Sequence, residues 1–351
     1  MIISACITLE PFFTTQLSFE IDIHWQLASH LVIFRAMTDL TSLQTLRLPE
    51  PDQITADSAL ALYEALRPLL PKANPGANRH AARLVDLLDE FDALILDGFG
   101  VINVGFQTIP GIETLLAEAQ KKGVDVIVLT NGASHPSTVS ARKYQGWGLP
   151  LGEAEVISSR DALQAHLQDM PSLSGWAALD NTVTPPDKVA GLKAISAAEL
   201  EGAEGFALLG SSAWSEADQA EFERSLHTRM RPVLVGNPDV TAPHPDGFTA
   251  EPAYWMARAM QQLALRPVWF GKPHPLAFTL AYQRLCARAG RTLDKGRIAM
   301  VGDSLHTDIL GGLAFGLQTI LVTRHGLLRD HNADQVIAQT GIAPHWQVPH
   351  L

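Results

Sequence analysis

The 351-residue sequence predicts a doubly wound α/β fold: a parallel sheet with helices on both faces, into which a second, smaller α/β domain is inserted. Two observations carry this expectation. Short, unbroken apolar runs recur, "ALIL", "VIVL" and "IAMV", each followed by small or polar residues and then by a stretch of helical spacing. Strands buried on both faces read this way, and their alternation with helices belongs to parallel sheets. In addition, a stretch with its own strand and helix texture, residues 159–251, separates the second of these units from the third.

Residues 1–54 form an N-terminal extension to which the pattern assigns no structure; two readings stand, a start at Met37 or an extra edge element. From Thr55, "TADSALALYEALRPLL" reads as a helix, with Thr55 as N-cap, apolar Leu62, Leu66, Leu69 and Leu70, and prolines at its end. "KANPGANRH" is a loop, and "AARLVDLLDEF" a second helix leading into "ALILD". "VDVIVLTNGA" is a strand followed by the helical "HPSTVSARKYQGWG". The insert then contributes "GWAALDNTV", "GFALLGSS", the helical "EADQAEFERSLHTRM" and the strand "RPVLVGNPDV". The core, 55–158 and 252–351, resumes at "EPAYWMARAMQQL" and closes with "RIAMVGDSLHTDILGGLAFGL" and "QTILVT".

Composition narrows the function classes. The formal charge of −11 comes from acids spread along the chain, which argues against nucleic acid or an anionic membrane as the main partner. No run approaches the roughly 20 apolar residues that span a bilayer. The first basic residue is Arg35, so the start lacks the basic region of a signal peptide. Cys6 and Cys286, far apart, supply neither a disulfide framework nor a zinc site. A reducing cytoplasm and a small-molecule partner are expected, and a homodimer is compatible.

Ligands of doubly wound sheets sit beyond the carboxyl ends of the strands. There the sequence places Asp97 after "ALIL", Thr130 and Asn131 after "VIVL", Lys272 in "WFGKPHP", and Asp303 and Asp308 in "VGDSLHTD". Phosphoryl transfer needs this set: a carboxylate nucleophile, hydroxyl and amide donors, a fixed ammonium, and carboxylates for Mg²⁺. Each residue alone has a plainer reading. Asp97 and Asp303 could be helix N-caps, "TNG" an ordinary turn, Lys272 a solvated loop lysine and Asp308 a solvent-facing acid. A dinucleotide fingerprint is the other reading of "DGFGVINVG", but the third glycine position falls on Asn103 and the next strand ends in Thr130 rather than an acid.

Over residues 84–350 the chain resembles the haloacid dehalogenase-like hydrolase superfamily, in its class IIA branch. "LILDGFGVI", "VLTNGA", "GKPHP" and "GDSLHTDILGG" are similar to its four motifs in order, with the cap inserted between the second and third. The resemblance implies a nucleophile at Asp97 that forms an aspartyl-phosphate, phosphoryl binding by Thr130, Asn131 and Lys272, and charge neutralisation by Lys272. It also implies Mg²⁺ held by Asp97, the backbone carbonyl of Phe99, Asp303 and Asp308. "GNPDVTAP" resembles the same branch, with Asn237 and Asp239 as substrate or hinge contacts. An Asx-Pro turn is the plainer reading of those two.

One position departs from the family pattern. Where its phosphatases carry a second aspartate, two residues after the nucleophile, this chain has Phe99, as in a group of that branch with an aromatic there. Positioned acid–base help is worth about 10²–10⁴-fold, so ordinary alkyl phosphates are expected to be poor substrates. Three outcomes stay open. The first is a phosphatase acting on a small phosphorylated metabolite, a sugar or aryl phosphate, either on esters whose leaving groups need little protonation or with His135, His274 or His306 as a substitute acid. The others are a metal-independent 2-haloacid dehalogenase and a phosphate-ligand binder without turnover. Trp176, Trp214 and Trp255 are pocket candidates or packing residues.

Overall fold

The computed structural model describes residues 39–168, 175–179, 192–195 and 197–351; the readings of the first 38 residues lie outside them. A seven-stranded, all-parallel sheet runs in the order Arg79–His80, Trp346–Val348, Gln318–Val322, Ile298–Gly302, Ala93–Leu96, Asp125–Thr130 and Val156–Ser158. The strand Ala93–Leu96 is buried throughout, and its side chains alternate as strand geometry requires. Leu94 and Leu96 join one apolar cluster with Leu115 and Tyr144. Ala93 and Ile95 join the opposite one with Phe278 and Ala281. Both faces are therefore covered, which is why the run carries no polar residue.

From Ala93–Leu96 the chain winds one way through Ile112–Lys122, Asp125–Thr130 and Ser137–Gly146 to Val156–Ser158. From the adjacent strand Ile298–Gly302 it winds the other way. The sheet thus has its topological switch point between these two strands, with Asp97 and Asp303 directly beyond their ends.

A five-stranded parallel sheet forms the second layer, in the order Val268–Trp269, Val233–Val235, Gly205–Leu208, Trp176–Leu179 and Leu192–Ile195. Residue 251 is not its limit. Its last strand is Val268–Trp269, and the helix Pro252–Gln262 buries Tyr254, Trp255 and Met260 in the same cluster as Phe206 and Phe222. The eight buried positions of that helix give it a face too wide to stand alone, so it follows the insert it packs on rather than the strand order of the core. The antiparallel hairpin Thr241–His244 and Gly247–Ala250 also leaves this layer.

Two local forms differ from their sequence patterns. "LVDLLDE" is a 3₁₀ segment, Leu84–Glu90, rather than an α-helix; it is pinned at one end by Leu84 N–H donating to His350 and flows at the other into the central strand. The helix from Thr55 forms as Ala56–Leu66 with a reciprocal capping box between Thr55 and Ser58. Leu40, Leu43 and Ile54, from the stretch assigned no structure, are buried against it. No helix among the described residues is long and apolar enough to cross a membrane.

Candidate active site

Neighbouring strands lie about 4.8 Å apart, so side chains at adjacent carboxyl ends can meet. Asp97 extends the ladder by donating its N–H to Val301 at 2.9 Å, which fixes the residue at the mouth of the switch point. No helix follows it until Ile112, so it caps nothing. Its carboxylate instead takes Lys272 Nζ at 2.5 Å, and the same ammonium lies 2.7 Å from Asp308 Oδ1. Lys272 is 1% exposed and Asp308 fully buried, so neither is the solvated residue its plain reading suggested.

Asp303 is not an N-cap either. Its oxygens accept from Leu327 N–H at 2.8 Å and Ser304 Oγ at 2.9 Å, which turns the carboxyl group inward. Carboxylate oxygens of Asp97, Asp303 and Asp308 lie within 4.8 Å of one another. The backbone is closed tightly around them: a Cβ on Gly100, whose φ is +81°, would meet Asp303 Cγ at 2.4 Å.

Burial and crowding set the electrostatics. Burial, then the charge of Asp97, pushes Asp303 up to about 7 and Asp308 up to about 8. Burial likewise raises Asp239 to about 7, against the pull of Lys272. Lys272 is desolvated too, but Asp308, Asp97 and Asp239 outweigh that penalty and hold it charged, above its ordinary value. Three buried carboxylates around one ammonium leave surplus negative charge, and a divalent cation is the group that such a donor set fits.

Asn131 is spent on architecture. Its Nδ2 donates to Asp239 Oδ1 at 2.8 Å and to the Lys272 carbonyl at 3.0 Å, while its Oδ1 accepts from Lys272 N–H at 2.7 Å. A side chain at Gly271, with φ +89°, would strike that Oδ1 at 2.6 Å. The amide therefore clamps the loop that aims the lysine, and its side chain has little left for a ligand. Thr130, whose Oγ1 accepts from Gly132 N–H, faces the cleft.

That cleft, about 210 Å³, is floored by Asp97, Thr130, Asp303 and Ser304 and roofed by Ser211, Asn237, Asp239, Thr241, His244 and Glu251. Asn237 forms the Asx turn, accepting Asp239 N–H at 2.9 Å, and also donates to Glu251 at 3.1 Å. Phe99 forms a wall, with His244 at 6.2 Å between ring centroids and Lys143 Nζ 5.2 Å from the phenyl centre. Burial, opposed by the charge of Asp97, lowers Lys143 to about 8.

His135, His274 and His306 are not among the residues lining the cleft. His306 is buried against Glu64, and His274 is half-buried beside Trp269, its ring lowered by desolvation to about 4. The imidazole in the cleft is His244, which sequence reading missed; the turn signature "HPDG" that closes its hairpin was the available signal. The three tryptophans pack: Trp214 donates to Gln219, Trp255 meets Tyr254 edge-on, and Trp176 lies in an apolar cluster.

This arrangement has counterparts. The family described as haloacid dehalogenase-like hydrolase matches residues 94–182, and the HAD-hydrolase-like family matches residues 269–351. A dihydroxyacetone phosphatase of Corynebacterium glutamicum is 29% identical over 246 residues, 67% of this chain and 82% of that one. A possible sugar phosphatase from Cytophaga hutchinsonii superposes with a TM-score of 0.67 at 27% identity, covering 78% of this chain and 98% of its own. The fold is shared with a magnesium-bound glycerol phosphate phosphatase from Mycobacterium tuberculosis, with a TM-score of 0.59 at 21% identity over 77% of each chain. With the switch-point site and the inserted second sheet, these likenesses make the chain a hydrolase of the haloacid dehalogenase-like superfamily, class IIA branch.

Proposed function

We propose that this hydrolase is a phosphatase for a small phosphorylated metabolite, a sugar or aryl phosphate, working through an aspartyl-phosphate at Asp97. The observation that carries the reading is Lys272 Nζ set between Asp97 and Asp308, with Asp303 inside the same cluster. An Asp97 oxygen attacks phosphorus as the ester oxygen departs; water then cleaves the acyl phosphate, regenerating the carboxylate and releasing phosphate. Lys272 offsets charge on the equatorial oxygens, and the hydroxyl of Thr130 donates to them. Asp97, Asp303, Asp308 and the Phe99 carbonyl would hold Mg²⁺, which when bound neutralises further phosphoryl charge.

Phe99 supplies no proton to the leaving oxygen, so esters whose alcohols leave readily are the better substrates. The cleft lies below the roughly 300–1,000 Å³ usual for drug-sized ligands, which favours a small leaving group. The sugar and triose phosphatases among the relatives point the same way. A dehalogenase would give the carboxylate cluster no work, because a halide leaves without a cation.

The test is hydrolysis of p-nitrophenyl phosphate, glycerol phosphate and a 2-haloacid, each with Mg²⁺ and with a chelator. Asp97→Asn should lower Mg²⁺-dependent phosphate release by about 10³-fold or more. Undiminished release by that variant removes Asp97 as nucleophile, and chloride release in chelator replaces the phosphatase reading with the dehalogenase.

A further inference from the structure

The helix Ala56–Leu66 lies outside both family matches, yet it touches floor and roof at once. Tyr63 stacks on His306 at 5.0 Å between ring centroids with planes 5° apart, and Glu64 Oε1 meets His306 Nε2 at 2.5 Å. His306 stands between Asp303 and Asp308, so this contact supports the loop that carries both acids. On the other side, Tyr63 Oη accepts the N–H of Val240 at 3.1 Å. Val240 directly follows Asp239, which faces the cleft and receives Asn131.

The same segment makes further ties. Tyr254 Oη donates to the Pro49 carbonyl at 2.5 Å, and Gln261 Nε2 donates to Leu43 at 2.8 Å and Leu46 at 2.7 Å. These hold the helix that begins beside Glu251 in the roof. At the floor, Asp57 pairs with His331 at 2.9 Å, in the loop whose Leu327 N–H binds Asp303. Leu43, Leu62 and Leu66 share one buried cluster with Phe222 and Val235 of the second layer and Leu305 and Ile309 of the first.

Domains joined only by linkers move relative to each other by default. Here a third segment is packed into both, and swinging the roof away would expose that cluster and break these hydrogen bonds. We infer that residues 40–70 are a brace that fixes the height of the roof over Asp97, and that Tyr63 is the positioning residue through which the brace acts. Substrate then enters through the mouth of the cleft, and the fixed roof limits the size of the leaving group.

The brace itself is independent of the chemistry, while its effect on kinetics rests on the phosphatase reading. Tyr63→Phe keeps the stacked ring and removes the acceptor for Val240. Amide exchange in segment 236–250 should accelerate by about 10-fold or more, with exchange in strand Ala93–Leu96 unchanged. For glycerol phosphate, KM should rise about 5-fold with kcat within about 2-fold, because a roof contact serves ground state and transition state alike. Glu64→Gln, acting through His306 on the floor, should instead lower kcat with little change in KM. Exchange in 236–250 unchanged in Tyr63→Phe overturns the brace, and faster exchange with unaltered KM overturns the positioning role. Faster exchange in a protein whose wild type hydrolyses no phosphate ester supports the brace and removes the phosphatase reading alone.

Discussion

The charged groups on the floor of the cleft follow strand ends, Asp97, Asp303 and Asp308 after strands of the seven-stranded sheet and Lys272 after the last strand of the second layer. Each is held by a named partner: Asp97 and Asp308 by Lys272, Asp303 by Leu327 N–H, Lys272 by Asn131. The wall and roof are assembled otherwise, from Phe99, a hairpin bearing His244, and the Asx turn at Asn237. The floor is crowded with negative charge that a bound divalent cation would relieve. The wall offers a phenyl ring where a proton donor would serve an alkyl ester. On the proposed reading, the floor carries the reaction class, and the wall and roof, built from a phenyl ring and turns, carry the choice of leaving group.

Removing the lysine tests the floor most severely. Lys272→Ala leaves Asp97, Asp239 and Asp308 crowded without their shared counter-charge, and breaking a buried pair costs about 3–5 kcal/mol. Urea unfolding should register that loss, and phosphate release should fall by about 10³-fold. A variant with wild-type stability and turnover would mean that the ammonium is not the hub of the floor.

The wall is next. Phe99→Asp introduces a carboxyl group at the cleft wall, and turnover of glycerol phosphate should rise by about 10²-fold, with a smaller gain for p-nitrophenyl phosphate because its leaving group needs little protonation. Equal gains on both substrates would contradict proton donation as the missing function.

The smallest effect is on stability. Asp303 and Asp308 titrate near 7 and 8 in the folded chain, above the ordinary carboxylate value. Between about pH 4 and pH 8 the folded state therefore binds more protons than the unfolded one, and these groups make metal-free protein less stable as pH rises. Lys272, whose pKa is raised, stays charged throughout that window. Added Mg²⁺ should accordingly raise Tm by about 3–6 °C at pH 8 and by much less at pH 5, measured by calorimetry against a chelated control. An increment independent of pH would place the cation elsewhere.

The sequence made the floor legible because buried parallel strands are apolar throughout, so a polar residue at their ends stands out: Asp97, Thr130 and Asp303 were found this way. The clamp of the Asn131 side chain on Lys272 was not legible, since it joins residues 141 positions apart. Leu84–Glu90 has helical spacing but is held at both ends by the sheet, and tertiary anchoring decided its form. The helix Pro252–Gln262 carries no mark of which layer it joins, because an apolar face does not name its partner. His244 was overlooked for a related reason: a lone histidine beside a turn is informative only when its hairpin is known to overhang Asp97.

The brace bears on what counts as the smallest working unit of this protein. Trimming the gene to the span that resembles its relatives, from about residue 84 onward, would preserve every motif residue. It would also discard Tyr63 and Glu64, along with the leucines that seal the two layers together. Such a fragment would carry the catalytic alphabet intact and lack the spacing that lets it be read.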